Sequence, residues 1–189
     1  GRPVPFHNAT NGGANALLRN EGSFAFRDVT QDVGLDHNNN RWSYAAVWED
    51  LDNDGDPDLY VANDYGSNNL YRNDDGKFRD VADAAGARDV NFGMSASAGD
   101  FDRDGLMDLY ISNMFSAAGG RVTFQPQFKS SESEELKRAY RQMARGNTLL
   151  RNRGDGTFED VSEAAGVATG RWAWTSLFTD LHNDGWDDL

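Results

Sequence analysis

Three short stretches of the chain carry aspartates at alternate positions around a glycine. They are DLDNDGDPD at 50–58, DFDRDGLMD at 100–108 and DLHNDGWDD at 180–188, called the Asp loops below. Alternate residues of a tight loop converge on one point, so their carboxylates form a set of hard oxygen ligands. Ca²⁺ accepts about 6–8 such oxygens in flexible geometry, whereas Mg²⁺ prefers a smaller octahedral site. The pattern predicts calcium sites, with magnesium as the second choice.

The first two Asp loops present a complete set of expected ligands. Side-chain ligands are expected at loop positions 1, 3, 5 and 9, and a backbone carbonyl at position 7, after a glycine that permits a sharp turn. The expected ligands in the first loop are Asp50, Asp52, Asp54, Asp56 (carbonyl) and Asp58. Those in the second loop are Asp100, Asp102, Asp104, Leu106 (carbonyl) and Asp108.

The third Asp loop departs from this pattern at its third position. Its expected ligands are Asp180, His182, Asp184, Trp186 (carbonyl) and Asp188. Imidazole is a poor ligand for a hard cation. A third Ca²⁺ site is therefore expected here that is weaker, uses a water molecule in place of His182, or stays empty.

Two other interpretations of the Asp loops agree less well with the sequence. A helix–loop–helix calcium site closes with a glutamate at position 12, where the first two loops carry Val61 and Ile111 in strand-like sequence. Asp-Gly pairs also make ordinary turns. A plain turn explains one Asp-Gly in each loop, but it leaves the other carboxylates and their common register unexplained.

The Asp loops belong to a longer internal repeat. An anchor that ends in Arg-Asn recurs, followed by a glycine-containing turn and a Phe-x-Asp-Val segment. The anchors are NALLRN at 15–20, NNLYRN at 68–73 and NTLLRN at 147–152, and the Phe-x-Asp-Val segments are 26–29, 78–81 and 158–161. The first two Asp loops start 50 residues apart and the last two 80, so the second interval holds about 30 extra residues.

Strand-like sequence flanks each Asp loop. Bulky residues alternate before the loops, as in Trp42 and Tyr44 or Trp172 and Trp174, and this alternation is typical of one face of a strand. One repeat therefore predicts four short antiparallel strands in about 50 residues, the size of a propeller blade. Kelch repeats lack support, because no paired glycines recur at the repeat spacing. An irregular β-sandwich is the alternative, and Trp42, Trp48, Trp172 and Trp174 are expected in the core between blades.

The predicted fold is all-β: a β-propeller of four-stranded blades, a partial ring of about three blades' worth, with one helical insertion. The expected parts are an N-terminal segment at 1–14, the last two strands of a first blade at 15–35, a second blade at 42–86, a third blade at 91–166 and the start of a fourth at 172–189. A propeller closes only as a full ring. The remaining blades are therefore expected on a longer chain or on partner subunits.

The extra residues are predicted to form a helical insertion at 115–146. Ser131 and Glu134 have the spacing of a capping box, and Gly146 is suited to end a helix. The apolar stripe is Leu136, Ala139, Tyr140 and Met143, and the basic residues are Lys137, Arg138, Arg141 and Arg145. The helix either packs on its own propeller with solvated charges, or contacts a protein partner or an anionic glycan.

Bulk composition excludes several classes of function. The formal net charge of −13 repels polyanions, so nucleic acid is an unsuitable partner. No run of about 18 or more apolar residues exists, which argues against a membrane span. The absence of cysteine excludes disulfides and thiolate metal sites.

The repeat resembles a known family. The motif Asp-x-Asp-x-Asp-Gly-x-x-Asp between strands, preceded in one repeat by Phe92-Gly93, resembles the FG-GAP repeats of integrin-α-type propellers. The LYRN, Phe-x-Asp-Val and AAG segments look like those of bacterial FG-GAP or VCBS-repeat proteins similar to cartilage acidic protein. The other two repeats carry Trp42-Ser43 and Trp172-Ala173 in place of Phe-Gly, so the integrin-like label is looser there. The resemblance implies a secreted or surface propeller that binds calcium structurally.

These observations predict a calcium-binding propeller repeat protein that serves protein or glycan interaction rather than catalysis. Weak calcium sites fill at millimolar concentrations, which favours an extracellular, cell-surface or periplasmic location. One alternative is a polysaccharide lyase or hydrolase, for which only the surroundings of Tyr140 offer a candidate site. Another is a structural subunit of a larger extracellular assembly.

Overall fold

The computed structural model describes the whole chain, residues 1–189. Its first elements are β1 (Leu18–Gly22), β2 (Ala25–Asp28) and the short helix α1 (Thr30–Val33). β1 and β2 pair as an antiparallel hairpin, with a register shift between Asn20 and Gly22. This hairpin carries the first Arg-Asn anchor and the first Phe-x-Asp-Val segment.

The first four-stranded sheet contains the first Asp loop. The next elements are β3 (Trp42–Glu49), β4 (Asp58–Asp64), β5 (Gly66–Ser67), β6 (Asn69–Asp74), β7 (Lys77–Asp80) and β8 (Val90–Asn91). The sheet has the order β3-β4-β6-β7 with antiparallel neighbours, and β5 pairs separately with β8. The first Asp loop joins β3 to β4, so it links the first two strands of a blade.

The second four-stranded sheet repeats this order around the second Asp loop. Its elements are β9 (Gly93–Gly99), β10 (Asp108–Asn113), α2 (Ala117–Thr123), α3 (Glu134–Arg145), β11 (Thr148–Asn152) and β12 (Phe158–Asp160). The antiparallel sheet runs β9-β10-β11-β12. The helices lie between the second and third strands, where the insertion was predicted. Two sheets of equal order around equivalent loops confirm the four-stranded repeat.

The core consists of two clusters on the two faces of the first four-stranded sheet, and strand β4 contributes side chains to both. Leu59 and Val61 pack on the side of Leu35, which follows α1, whereas Tyr60 and Ala62 pack toward the second sheet, as expected for side chains that alternate along a strand. The cluster on the first side is Leu35, Leu59, Val61, Tyr71 and Phe78. The larger cluster between the two sheets includes Tyr60, Leu70, Leu109, Ile111, Leu150 and Phe158.

The glycine of Phe92-Gly93 allows a close approach between the two sheets. A Cβ at Gly93 would lie 3.1 Å from the carbonyl oxygen of Asn63 and 3.2 Å from the Cβ of Ala62. β9 also packs against both β3 and β4. The position therefore favours glycine because a neighbouring blade occupies the space of a side chain.

The last repeat, residues 172–189, forms isolated β-bridges and no continuous strand. Met114 pairs with Trp172, and Thr179 pairs with Asp188 at the base of the third Asp loop. The expectation that the tryptophans are buried between blades is wrong for three of them. Trp48, Trp172 and Trp174 are 44%, 64% and 54% exposed, because no other element of the chain covers their faces of the strands.

Helix α3 confirms the predicted helical insertion but corrects its start. Its N-cap is Ser133, whose Oγ accepts a hydrogen bond from the backbone N–H of Leu136 at 3.2 Å. Ser131 therefore does not cap the helix, and Glu134 is the first helical residue rather than the reciprocal partner of a capping box. The helix ends before Gly146, whose φ of 111° is left-handed, as predicted. None of the three helices has the length and apolarity needed to cross a lipid bilayer.

Candidate metal centres in the Asp loops

All three Asp loops adopt one backbone conformation. Their fourth and sixth residues have left-handed φ angles, and glycine occupies the sixth position because it adopts such angles without strain. The φ angles at the fourth residue are 59° (Asn53), 61° (Arg103) and 56° (Asn183). Those at the sixth are 96° (Gly55), 87° (Gly105) and 84° (Gly185). The third loop thus keeps the geometry of the other two despite His182.

The first aspartate of each loop closes the turn. In the first loop the Oδ1 of Asp50 accepts from the N–H of Asp54 at 3.1 Å, and its Oδ2 accepts from the N–H of Gly55 at 3.0 Å. The other loops repeat this pair, with Asp100 accepting from Asp104 and Gly105, and Asp180 accepting from Asp184 and Gly185. This carboxylate therefore holds the turn of each loop in place.

The last aspartate of the first and of the second Asp loop ties its loop to the sheet. The Oδ2 of Asp58 accepts from the N–H of Leu51 at 3.1 Å, and its Oδ1 accepts from the N–H of Asn73 in β6 at 2.8 Å. Asp108 makes the equivalent bonds to Phe101 at 3.2 Å and Asn152 at 2.7 Å. Burial raises the pKa of both carboxyls to about 6. A nearby cation would offset the cost of ionising them there.

Two of the loops bring three carboxylates close enough to share one metal ion. One oxygen from each of Asp50, Asp52 and Asp54 lies within 4.8 Å of the others. The same holds for Asp100, Asp102 and Asp108. Burial, followed by the charge of Asp54, raises the pKa of Asp52. Three convergent carboxylates are an all-oxygen donor set that suits a hard divalent cation.

The second triad contains two further signs of a cation site. Oδ1 of Asp102 is buried and lacks a hydrogen-bond partner, although a buried carboxylate oxygen normally has one. The guanidinium of Arg151 stands against the same loop, with its Nε 2.6 Å from Oδ2 of Asp102. The loop thus carries more negative charge than one guanidinium neutralises and keeps a carboxylate oxygen without a partner, so the residues fit a bound cation.

The remaining predicted ligands lie in the loops but outside these triads. Asp58 and Asp104 are not among the clustered carboxylates, and Oδ2 of Asp56 accepts from the N–H of Asp75 at 2.9 Å. This bond ties Asp56 to the β6–β7 turn, which leaves its carbonyl as its predicted contribution to the site. For Leu106 and Trp186 the predicted contribution is likewise the carbonyl, and at each the backbone N–H donates to the aspartate two residues earlier.

In the third loop the histidine contacts the aspartate that should share the metal. Nδ1 of His182 lies 2.9 Å from Oδ2 of Asp188, and the side chain of His182 is 67% exposed. The same oxygen accepts from the N–H of Leu181 at 3.0 Å. The carboxylates of this loop do not form one of the metal-capable triads. A third site therefore stays a prediction.

Sequence reasoning missed the structural role of the asparagine that ends each anchor. Asn73 donates its side-chain amide to the carbonyl of Pro57 at 3.0 Å, and Asn152 donates to the carbonyl of Met107 at 3.0 Å. Pro57 and Met107 directly precede the last aspartate of their loops. The recurrence of Arg-Asn in all three anchors was the signal, since a surface asparagine has no reason to recur at that position.

A second repeated contact, also missed, lies at the other end of the strands. Asn68 donates to the hydroxyl of Tyr60 at 3.1 Å, and that hydroxyl donates to the carbonyl of Ala87 at 3.1 Å. In the next blade Asn147 donates to Tyr110 at 2.7 Å, which donates to the carbonyl of Val167 at 2.9 Å. These buried groups bind the AAG turns to the sheet, so their partners satisfy groups that burial would otherwise penalise.

The insertion packs on the repeat through a buried carboxylate. Asp89 is 1% exposed, and its oxygens accept from Asn113 at 2.8 Å and from Gln142 of α3 at 2.9 Å. Burial raises the pKa of Asp89 above its usual range. Asn91 also donates to the carbonyls of Gln142 and Gly146 at 3.2 and 3.0 Å. The helix is thus attached to the junction between the two blades.

Most of the basic residues in the insertion have partners within the chain. Lys137 pairs with Glu134 at 2.9 Å, and Arg145 pairs with Asp160 at 2.7 Å. Arg141 lies over the ring of Phe124, with its Cζ 5.0 Å from the centroid. Arg138 lines an open cavity of about 480 Å³ together with His7, Asn8, Arg88, Glu135 and Gln142.

Tyr140, the candidate for an enzymatic role, packs among neighbouring side chains. Its ring centroid lies 5.8 Å from that of Phe128 in an edge-on contact and 6.1 Å from that of His7. Nζ of Lys129 stands 4.8 Å above the same ring. These contacts give Tyr140 a packing role between the insertion and the N-terminal segment.

Paired four-stranded antiparallel sheets, each with an acidic loop between its first two strands, define a propeller-type repeat protein. Comparison with family models agrees: an FG-GAP-like repeat matches residues 8–61, 50–111 and 139–189. These matches cover most of the chain, and the protein belongs to the FG-GAP-like repeat family. No curated protein matches the chain. The likeness to cartilage acidic protein stays a prediction, because the matched family describes the repeat alone.

Proposed function

We propose that the protein is a calcium-stabilised propeller repeat protein whose metal ions fasten the Asp loops. The observation that carries this proposal is the convergence of three carboxylates within 4.8 Å in each of the first two loops. Without a cation these charges repel one another, which destabilises the fold. Ca²⁺ is favoured over other ions because it accepts several carboxylate and carbonyl oxygens in irregular geometry.

Calcium would act on the connection between the first two strands of each blade. Asp50 and Asp58 hold the start and the end of the first loop through their backbone hydrogen bonds. A cation bridging the loop carboxylates would add to these bonds and keep β3 and β4 in register. With a dissociation constant of about 0.1 mM and millimolar calcium, each site would contribute roughly 1.4 kcal/mol.

Sites of that affinity fill where calcium is millimolar, so an extracellular, cell-surface or periplasmic location follows from the proposal. The role that fits best is interaction with a protein or an anionic glycan rather than catalysis. The surface proposed for this contact is the cavity beside α3, where Arg88 and Arg138 supply positive charge in an otherwise acidic chain. Glu135, at the same cavity, limits this charge and favours a weak, salt-sensitive contact.

Thermal unfolding with calcium and with excess chelator tests the metal role. In calcium, Asp52→Asn combined with Asp54→Asn should lower the melting temperature, because the first site then loses two anionic ligands. In chelator the double variant should melt at or above the temperature of the unchanged protein. The control is Asp36→Asn, which alters an exposed aspartate outside the loops. An equal loss of stability in calcium and chelator would exclude a metal role for these carboxylates.

Retention on immobilised heparin, a polyanion, tests the proposed contact surface. Arg138→Glu should elute at lower salt than the unchanged protein, because the substitution reverses one charge of the cavity. Arg171→Glu is the matched control, since Arg171 is exposed elsewhere on the chain. Equal shifts for the two variants would mean that the cavity is no specific anion surface.

A further inference from the structure

The two arginines that precede the anchor asparagines behave differently in the two blades. Arg72 and Arg151 occupy equivalent positions, since each stands immediately before the asparagine that bonds the end of an Asp loop. Arg151 turns to the loop: its Nε lies 2.6 Å from Oδ2 of Asp102, and its Nη2 donates to Oδ2 of Asp104 at 3.3 Å. The charges of Asp102 and Asp104 raise the pKa of Arg151.

Arg72 turns to a different acid. Its Nη2 donates to Oδ2 of Asp74 at 3.2 Å, and its Nε lies 3.2 Å from Oδ1 of the same residue. Asp74 also accepts from Arg79 at 2.7 Å, and Arg79 is the residue that pairs with Arg72 across β6 and β7. One carboxylate thus bridges two arginines and holds Arg72 beside the β6–β7 hairpin.

The equivalent pair in the next blade has reversed charges. Arg153 stands where Asp74 does, and Glu159 stands where Arg79 does. Arg153 and Glu159 pair with each other, with Nη2 2.9 Å from Oε2. The position two residues after the anchor arginine therefore carries a cation and offers no carboxylate to Arg151. The acids of the second Asp loop are the anionic partners that remain.

In the first hairpin, the arginine of the anchor is held by an acid of the hairpin, as Arg72 is in the blade with the first Asp loop. Glu21 stands two residues after Arg19, and it bonds both Arg19 at 2.7 Å and Arg27 at 3.2 Å. Arg19 and Arg27 pair across β1 and β2. Two of the three anchors thus hold their arginine on a hairpin acid, and the anchor with Arg153 is the exception.

We propose that Arg151 competes with calcium at the second Asp loop, and that the reversed pair Arg153 and Glu159 directs it there. The second loop consequently has a lower calcium affinity than the same ligands would have without Arg151 beside them. The two loops therefore fill at different calcium concentrations. The inference rests on the proposed calcium role and concerns how that role is regulated.

The competition follows from a shared carboxylate. Nε of Arg151 lies 2.6 Å from Oδ2 of Asp102, whereas Oδ1 of Asp102 has no hydrogen-bond partner. A cation bound by Oδ1 stands beside the guanidinium, so the two positive charges compete for one carboxylate. Calcium therefore binds against this repulsion, or it displaces the guanidinium and loses the ion pair that stabilises the metal-free loop. Losing one partly exposed ion pair corresponds to roughly fivefold in affinity.

Calorimetric calcium titration of the full chain tests the competition when the other loop has been prevented from binding calcium by substitution of its aspartates. Asp52→Asn with Asp54→Asn silences the first loop, and in that background Arg151→Gln should raise the affinity of the second loop by about fivefold. The matched control silences the second loop with Asp102→Asn and Asp104→Asn. There, Arg72→Gln should change the affinity of the first loop by less than about twofold.

A second variant keeps Arg151 and moves it. Arg153→Asp combined with Glu159→Arg installs the charge order of Asp74 and Arg79, and it should raise the affinity of the second loop in the direction of Arg151→Gln. If the unchanged protein binds calcium at both loops, an unchanged or lowered affinity of the second loop on Arg151→Gln would overturn the competition and leave the calcium role intact. Absence of any calcium binding by the unchanged protein would overturn both.

Discussion

The side-chain amide of Asn152 donates a hydrogen bond to the carbonyl oxygen of Leu51, 2.7 Å away, although 101 residues separate them in the chain. Leu51 is the second residue of the first Asp loop. The same asparagine donates its backbone N–H to Asp108 and its amide to Met107 in the second loop. A single buried residue therefore connects two Asp loops on adjacent blades.

Substituting Asn152 should destabilise the protein more than substituting its counterpart Asn73. Asn152→Ala removes the turn bond to Gly154 and the amide bonds to Leu51 and Met107 in two loops. It leaves the buried carbonyl of Leu51 unpaired, and an unsatisfied buried group costs about 1–3 kcal/mol. Asn73→Ala removes the bond to Pro57 within its own blade and the turn bond to Gly76. Denaturant unfolding of both variants in chelator measures the difference.

The same unfolding measurement in calcium separates the contribution of the inter-blade bond to Leu51 from that of the bond to Met107 in the second Asp loop. Calcium should recover less of the lost stability in Asn152→Ala than in Asn73→Ala, because the inter-blade bond to Leu51 lies outside both metal sites. Equal free energies of unfolding for the two variants would show that the contact between loops contributes nothing measurable.

Ser133→Ala should destabilise the protein by about 1 kcal/mol, the usual cost of removing an N-cap oxygen. The Oγ of Ser133 accepts from the N–H of Leu136 at the start of α3. Ser131→Ala is the matched control, since Ser131 lies two residues outside the helix and should have an effect below about 0.5 kcal/mol. Thermal unfolding of the two variants measures the stability that each loses. A larger loss in Ser131→Ala than in Ser133→Ala would contradict Ser133 as the N-cap of α3.

The repeat made the blade predictable from sequence. Four strands, their order and the place of the helical insertion follow from three copies of one pattern, because equivalent residues must occupy equivalent positions in each blade. The Asp loops were predictable for the same reason: a carboxylate register that recurs at 50, 100 and 180 cannot be a chance turn.

What sequence could not supply were contacts between residues far apart in the chain. The bond between Asn152 and Leu51 depends on how two blades pack, and the position of Asp89 beneath α3 depends on where the insertion folds back. The burial of the tryptophans failed for a related reason. A period-2 pattern identifies one face of a strand, but it does not say whether another element covers that face.

His182→Asp should add one calcium site to the chain. The third Asp loop already has the backbone angles and the hydrogen bonds of the other two, so a carboxylate at its third position completes the ligand set. The substitution also removes the contact between His182 and Asp188. Calorimetric titration should report one more calcium ion for each chain than the unchanged protein binds.

His182→Ala separates the two consequences of that substitution. Alanine frees Asp188 without supplying a ligand, so its stoichiometry should remain that of the unchanged protein. An additional site in both variants would mean that the His182–Asp188 contact, rather than the missing carboxylate, limits binding. No additional site in His182→Asp would show that the shared backbone geometry is insufficient.

Asp64→Asn should stabilise the protein at neutral pH. Asp64 lies at the end of β4, its Oδ1 is buried without a hydrogen-bond partner, and burial raises its pKa to about 6 from the usual 3.8. Because the folded pKa is the higher one, the native state holds a proton that the unfolded chain loses between about pH 4 and 6. The contribution of Asp64 to stability therefore falls as the pH rises through that window.

Asparagine resembles the protonated acid, so the gain in melting temperature should be present at pH 7.5 and small at pH 4, as measured by thermal unfolding in chelator across about pH 4–8. Asp64 is not a predicted ligand, and the gain should therefore be the same in calcium at neutral pH. Asp36→Asn, at an exposed aspartate, should leave the pH profile unchanged. A gain at Asp64 that is equal at all pH values would mean that the substitution acts through packing rather than through the ionisation of a buried carboxyl.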